Sequence, residues 1–191
     1  MLDQPRLYEL WELTQQALKV PGAILEVGTW RGGSAALMGL RSQQLLGERP
    51  LIVADTFTGV AKAGSRDPYY RGGEHADTDL DTVSAFLHSL DLQNFRLLSG
   101  VFPEETAHHV SNESIALCHI DVDVYKSAQG VFEWVLPRIP PGGIIVFDDY
   151  GFSGCEGVTS LVHELRAEDG ICVVANVNGH AVIVKTHARE R

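Results

Sequence analysis

The stretch that decides the fold is Ala23-Ile-Leu-Glu-Val-Gly-Thr-Trp-Arg-Gly-Gly-Ser34. Residues 23–27 form an apolar run broken by one acid, Glu26, and read as a short buried strand. A turn holding Gly28, Gly32 and Gly33 follows, and Ser34 opens an apolar pattern of helical period. Strand, glycine turn and helix N-terminus is how an α/β protein brings bare backbone against a nucleotide-like ligand. Glycine permits the close approach, and the free N–H groups of the first helical turn carry partial positive charge.

The spacing selects the ligand class. A dinucleotide fold uses G-x-G-x-x-G, whereas here the pattern is Glu-x-Gly-x-x-x-Gly-Gly. An acid two residues before the first glycine would repel a pyrophosphate. It suits a ligand that carries positive charge, such as the amino group and sulfonium of S-adenosylmethionine (SAM). A dehydrogenase is disfavoured on both counts, and the bland alternative is a strand-turn-helix with no ligand.

Working outward, 191 residues suit one domain with a full core. Hydrophobic residues make up 45% and charged residues 21% of the chain, as in an ordinary water-soluble globular domain. The net charge of −10 disfavours a nucleic-acid partner, which would need clustered Lys and Arg. Cys118, Cys155 and Cys172 are odd in number and unpaired in spacing. They argue against a disulfide framework and for a reducing, cytoplasmic setting. The N-terminus lacks the pattern of a signal peptide, and no apolar run is long enough to cross a membrane.

Residues 5–19 carry Leu7, Leu10, Trp11, Leu13 and Leu18 at mostly helical spacing, ended by Pro21-Gly22. Helices are also expected over 34–46 (ended by Gly47), 79–90, 104–110, around 131–136 and over 158–167 (closed by Gly170). Strands are expected at 51–55, 95–98, 115–120 and 144–147, each after a helix, which predicts a parallel sheet with right-handed crossovers. Residues 57–78 show neither period. A loop of that length at the carboxyl edge of a sheet is a lid, a binding loop or a mobile segment, and Tyr69, Tyr70 and Arg71 are its candidates for touching substrate. The runs 171–177 and 180–185 are joined through Asn178-Gly179, read as a hairpin with φ > 0 at both turn positions. The expectation is an α/β Rossmann-like fold. Its mostly parallel seven-stranded sheet has helices on both faces and a C-terminal antiparallel hairpin, as in class I methyltransferases.

Strand ends then supply the chemistry. Asp55 closes the second strand, where an acid accepts hydrogen bonds from ribose hydroxyls. Val101 and Phe102 follow the third and would lie beside an adenine. Asp121 and the pair Asp148-Asp149 close two strands expected to be neighbours. Three carboxylates together repel unless one stays protonated or a cation joins them. Oxygen-only ligation, with no His or Cys expected nearby, favours Mg²⁺, and after it another divalent cation such as Ca²⁺ or Mn²⁺, over Zn²⁺. Such an ion would acidify a bound substrate hydroxyl. The competing reading makes Asp148-Asp149 caps of the next segment. Asp123 is read as structural and Lys126 as solvent-facing. His108-His109 are read as surface residues. His119, separated from Asp121 by one residue, is expected on the opposite strand face as a core histidine. His180 is placed near this sheet edge only by conjecture.

The chain resembles the macrocin O-methyltransferase family, which are Mg²⁺-dependent, SAM-using enzymes that methylate sugar hydroxyls. The resemblance rests on Leu25-Glu-Val-Gly-Thr-Trp-Arg-Gly-Gly33, Val53-Ala-Asp-Thr-Phe57 and Leu98-Ser-Gly-Val-Phe102. It continues through Ile120-Asp-Val-Asp-Val-Tyr125 and Pro141-Gly-Gly-Ile-Ile-Val-Phe-Asp-Asp-Tyr150. It implies a SAM site drawn from Glu26, Gly28, Thr29, Gly32, Ser34, Asp55, Thr56, Phe57, Val101, Phe102 and Asp121. It implies a metal on Asp121, Asp148 and Asp149, Asp121 as catalytic base, and a homodimer. Two departures stand out: Val122 replaces the usual glycine between the two aspartates, and the family's extra N-terminal cover is expected to be missing. The acceptor is then a small sugar, polyol or phenolic hydroxyl. The alternative is a SAM-binding relative without methyl transfer, either hydroxylase-like or a non-catalytic module.

Overall fold

A computed structural model describes residues 1–45 and 49–187. The expected helix end at Leu46 and Gly47 lies outside those residues. Helix α1 spans Gln4–Ala17, with Asp3 as N-cap accepting from the Arg6 N–H and Pro5 in the first turn. Strand β1 (Ala23–Val27) leads into α2 (Gly33–Gln44), and β2 (Leu51–Asp55) is followed by a long irregular segment. Then come α3 (Leu80–Ser89), β3 (Phe95–Ser99), β4 (Ile115–Ile120), α4 (Tyr125–Val135), β5 (Ile144–Phe147), α5 (Glu156–Leu165), β6 (Ile171–Ala175) and β7 (Ala181–Lys185). The helix expected from Glu104 is only a short 3₁₀ turn, Ala107–Val110.

The seven strands run in the order β3-β2-β1-β4-β5-β7-β6. The first five are parallel and β7 is antiparallel to both neighbours. The order reverses between β1 and β4, and ligands bind outside the carboxyl ends of the strands at such a switch point. The final turn differs from expectation. Gly179 has φ +103°, but Asn178 is not left-handed. Asn178 instead turns its side-chain oxygen to the His180 N–H, and the Asn176 N–H closes the loop on the His180 carbonyl.

Strand alternation sorts the side chains into two layers. Leu25, Val27, Cys118, Ile120, Ile145, Phe147 and Ile183 face α4 and α5. Ile24, Leu117, Val146 and Val182 face α1, α2 and α3. Residues two apart share a face, so Glu26, His119, Asp148 and His180 belong to this second layer. That corrects the expected orientation of His119: it shares its face with Asp121. No helix among the described residues is long and apolar enough to cross a membrane.

Candidate active site

The carboxyl edge of β1, β2 and β4 opens into a cavity of about 570 Å³. Of the expected site residues, Gly28, Thr29, Ser34, Asp55, Thr56, Val101, Phe102, Asp121 and Asp149 line it. Gly28 is there for a steric reason. It has φ +86°, and a Cβ at that position would fall 1.7 Å from the Asp121 carbonyl oxygen. The first turn therefore lies flat against the end of β4. Gly32, φ +81°, caps α2 without a side chain.

Asp55 shapes this turn. Its Oδ2 accepts from the Thr29 and Trp30 N–H groups, each at 2.8 Å, and its Oδ1 accepts from the Phe57 N–H at 2.8 Å. The carboxylate thus closes the glycine turn over the end of β2, a role that the expected ribose contact did not include. Three of the expected cofactor contacts lie off the cavity wall. Glu26 is fully buried and off the cavity wall: its Oε2 accepts from Thr29 Oγ1 at 2.6 Å and its Oε1 meets His119 Nδ1 at 2.9 Å. It reaches the cavity only through Thr29. Gly32 also lies off the wall, and so does Phe57, which packs against the second core layer.

The acids of β4 and β5 do converge. One oxygen from each of Asp121, Asp148 and Asp149 falls within 4.8 Å of the others. Asp121 and Asp149 face the cavity, while Asp148 is buried behind them. A fourth group, missed by the sequence reading, sits on them. Arg6 of α1 donates from Nη1 to Asp148 Oδ1 at 2.6 Å and to Asp149 Oδ1 at 3.1 Å. Its spacing with Leu10 and Thr14, one helical turn each, would have placed it on the buried face of α1. The expectation that no His or Cys lies near is also corrected. His180 Nε2 is 3.4 Å from Asp148 Oδ1, and Cys155 clusters with Asp123 and Asp149.

This crowding moves the acids apart. Burial, then Asp148 and Asp149, push the Asp121 carboxyl well above its ordinary range. Burial, then Asp148 and Asp123, bring Asp149 up to about 6, against the pull of Arg6. Burial acts upward on Asp148 too, but the neighbouring His180, His119 and Arg6 outweigh it and hold it low. Separated proton affinities among neighbouring acids are a mark of acid–base chemistry. The three carboxylates fit a hard divalent cation in type and convergence.

The long segment 56–79 supplies the opposite wall through Thr56, Gly59, Val60, Ala61 and His75. It is anchored throughout. Buried Asp67 accepts from the Gly64 and Tyr125 N–H groups at 2.9 Å each, so it caps α4, which has no side-chain cap of its own. Ser127 Oγ donates to the Ala61 carbonyl, and Trp30 and Arg31 both reach Asp77. Of the candidates on this loop, Tyr70 donates to Asp123 Oδ1 at 2.5 Å, while Tyr69 and Arg71 stay off the cavity. Lys126 and His108-His109 are exposed, as expected.

A family model described as Macrocin-O-methyltransferase (TylF) matches residues 1–185. The chain is 31% identical over 185 residues to a mycinamicin III 3''-O-methyltransferase of Micromonospora griseorubida, covering 90% of this chain and 71% of that one. It is also 31% identical over 175 residues to an 8-demethyl-8-(2,3-dimethoxy-alpha-L-rhamnosyl)-tetracenomycin-C 4'-O-methyltransferase of Streptomyces olivaceus, covering 85% and 65%. Among solved structures, the O-methyltransferase NovP superposes with a TM-score of 0.83 at 24% identity, covering 95% of this chain and 80% of that one.

Proposed function

The chain belongs to the macrocin O-methyltransferase family, and from that premise we propose that it methylates a hydroxyl of a small glycosidic, polyol or phenolic acceptor with SAM, aided by a divalent cation. The observation that carries this is the placement of Asp121 and Asp149 in the wall of the cavity that also holds the Gly28-Thr29 turn. SAM would lie along that turn, its amino-acid end near Thr29, its ribose near Asp55 and Thr56, and its adenine near Val101 and Phe102. Glu26 would act indirectly, by fixing the Thr29 hydroxyl.

Asp121, Asp148 and Asp149 would hold the cation, and a cation there lowers the pKa of a bound hydroxyl. Asp121 would take the hydroxyl proton. The glycine turn and the 56–79 wall would hold donor and acceptor in line, the chief requirement of methyl transfer. The names of the relatives support sugar hydroxyls on natural products as the acceptor class.

The test is transfer of isotopically labelled methyl from SAM to a panel of glycosides and catechols, with and without chelator. Labelled product that chelator removes, and that Asp121→Asn abolishes while SAM binding persists, is the expected result. Undiminished transfer in chelator would remove the cation from the mechanism. A second reading is favoured by Arg6, whose guanidinium already neutralises Asp148 and Asp149: methyl transfer with this built-in cation alone. Absence of SAM binding by calorimetry would discard both.

A further inference from the structure

We propose that His119, His180 and Asp148 form a site for one transition-metal ion of the zinc class, buried under α1 behind the cavity. The three side chains are essentially without solvent exposure, at 0%, 0% and 3%. A ligand atom from each lies within 4.8 Å of the other two.

Each ring is held from its far side by its own glutamate. His119 Nδ1 lies 2.9 Å from Glu26 Oε1, and His180 Nδ1 lies 2.6 Å from Glu9 Oε2. A carboxylate can only accept, so each Nδ1 carries the hydrogen, and in the neutral ring each Nε2 is left as a lone pair. Both Nε2 atoms are buried with no hydrogen-bond partner. Two lone pairs directed at one dry region are left unsatisfied, and Asp148 Oδ1 beside them already accepts from Arg6 at 2.6 Å, so an ion would share that oxygen with the guanidinium. The spacing suits an ion. His180 Nε2 and Asp148 Oδ1 are 3.4 Å apart, long for a hydrogen bond. It matches the separation of about 3.4 Å between two ligands each about 2.1 Å from a tetrahedral centre.

The donor set names the metal class. Two imidazoles and one carboxylate suit zinc and its neighbours, whereas Mg²⁺ takes oxygen. Glutamates on both Nδ1–H groups are the outer partners that metal-bound histidines usually have, fixing the tautomer and raising ring basicity. Strand alternation and register assemble the cluster: Glu26 stands opposite His119 across β1 and β4, and Asp148 and His180 immediately flank β5 and β7. The ion would pin β4, β5 and the last turn together beneath α1. This proposal does not rest on methyl transfer, although Asp148 also belongs to the carboxylate trio.

The experiment titrates Co²⁺ and Zn²⁺ into the metal-stripped full chain. The expected result is one Co²⁺ per chain with the strong visible bands of a four-coordinate ion, a water completing the three protein ligands, displaced by Zn²⁺ but not by Mg²⁺. His119→Gln and His180→Gln should each weaken Co²⁺ binding at least 100-fold. Should those variants fail to fold, ¹⁵N NMR of the wild-type imidazoles decides the matter. Two Nε2 resonances must move on zinc addition while their Nδ1 protons persist. No Co²⁺ binding, a six-coordinate spectrum unaltered by His119→Gln, or two doubly protonated rings that ignore zinc would each overturn the assignment.

Discussion

Arg6 and Asp148 are joined by a 2.6 Å ion pair in which neither side chain is more than 8% exposed. This pair fastens the N-terminal helix to the end of β5 and places a permanent positive charge against the acids of the site.

Removing one partner of a buried pair strands the other charge, at a cost of about 3–5 kcal/mol. Arg6→Gln is therefore expected to lower stability by about 3 kcal/mol in metal-free buffer, with much of the loss recovered on adding Mg²⁺. Urea unfolding with and without Mg²⁺ measures both. An unchanged midpoint in chelator would mean that the pair contributes nothing.

The Asp149 carboxyl rises from 3.8 in an ordinary setting to about 6 in the fold. Between those values the folded chain keeps a proton that the unfolded chain has released, so stability falls as pH rises through the window. Asp149→Asn removes this penalty. The variant should match wild type near pH 3.5 and exceed it by about 3 kcal/mol at pH 7 without metal. Denaturant melts across that range, in chelator, supply the comparison.

Asp55 accepts three backbone N–H groups, from Thr29, Trp30 and Phe57. Asp55→Ala leaves these donors seeking water and frees the glycine turn. SAM binding should weaken at least ten-fold, about 1.4 kcal/mol or more, with a lower melting temperature. Calorimetric titration reads the first effect and scanning calorimetry the second.

Two glycines of one turn should behave oppositely. Gly28→Ala drives a methyl into the Asp121 carbonyl and strains a positive φ, whereas at Gly33 an added Cβ meets nothing within 4 Å. The first substitution should abolish SAM binding or soluble expression. Gly33→Ala, at the start of a helix, should be neutral or slightly stabilising. Equal tolerance at both positions would contradict the close approach of β1 to β4.

The sheet was legible because its strands are short apolar runs separated by Gly, Pro and acids, and because period-2 and period-3.6 segments alternate. Asp121 and Asp149 could be placed in the wall of one cavity for the same reason: the carboxyl ends of neighbouring parallel strands lie on one edge. The partners of the site were harder to read. Glu26 looks like a ligand contact at its sequence position, yet its side chain is spent on Thr29 and His119, a pairing set by β1–β4 register. Arg6 and Glu9 act on residues more than 140 positions away. Their buried placement could be read from helical spacing, but not what they meet. The Asn178-Gly179 signal located the hairpin and missed its geometry, because the Asn178 side chain takes over part of the turn's hydrogen bonding.

The aspartate at position 67 joins the wall facing the glycine turn to the first N–H of α4. Gly157 leaves it room, since a Cβ there would fall 2.0 Å from the Asp67 carboxylate. Lifting that wall would break a cap and leave a desolvated charge stranded, so segment 56–79 behaves as masonry rather than as a door.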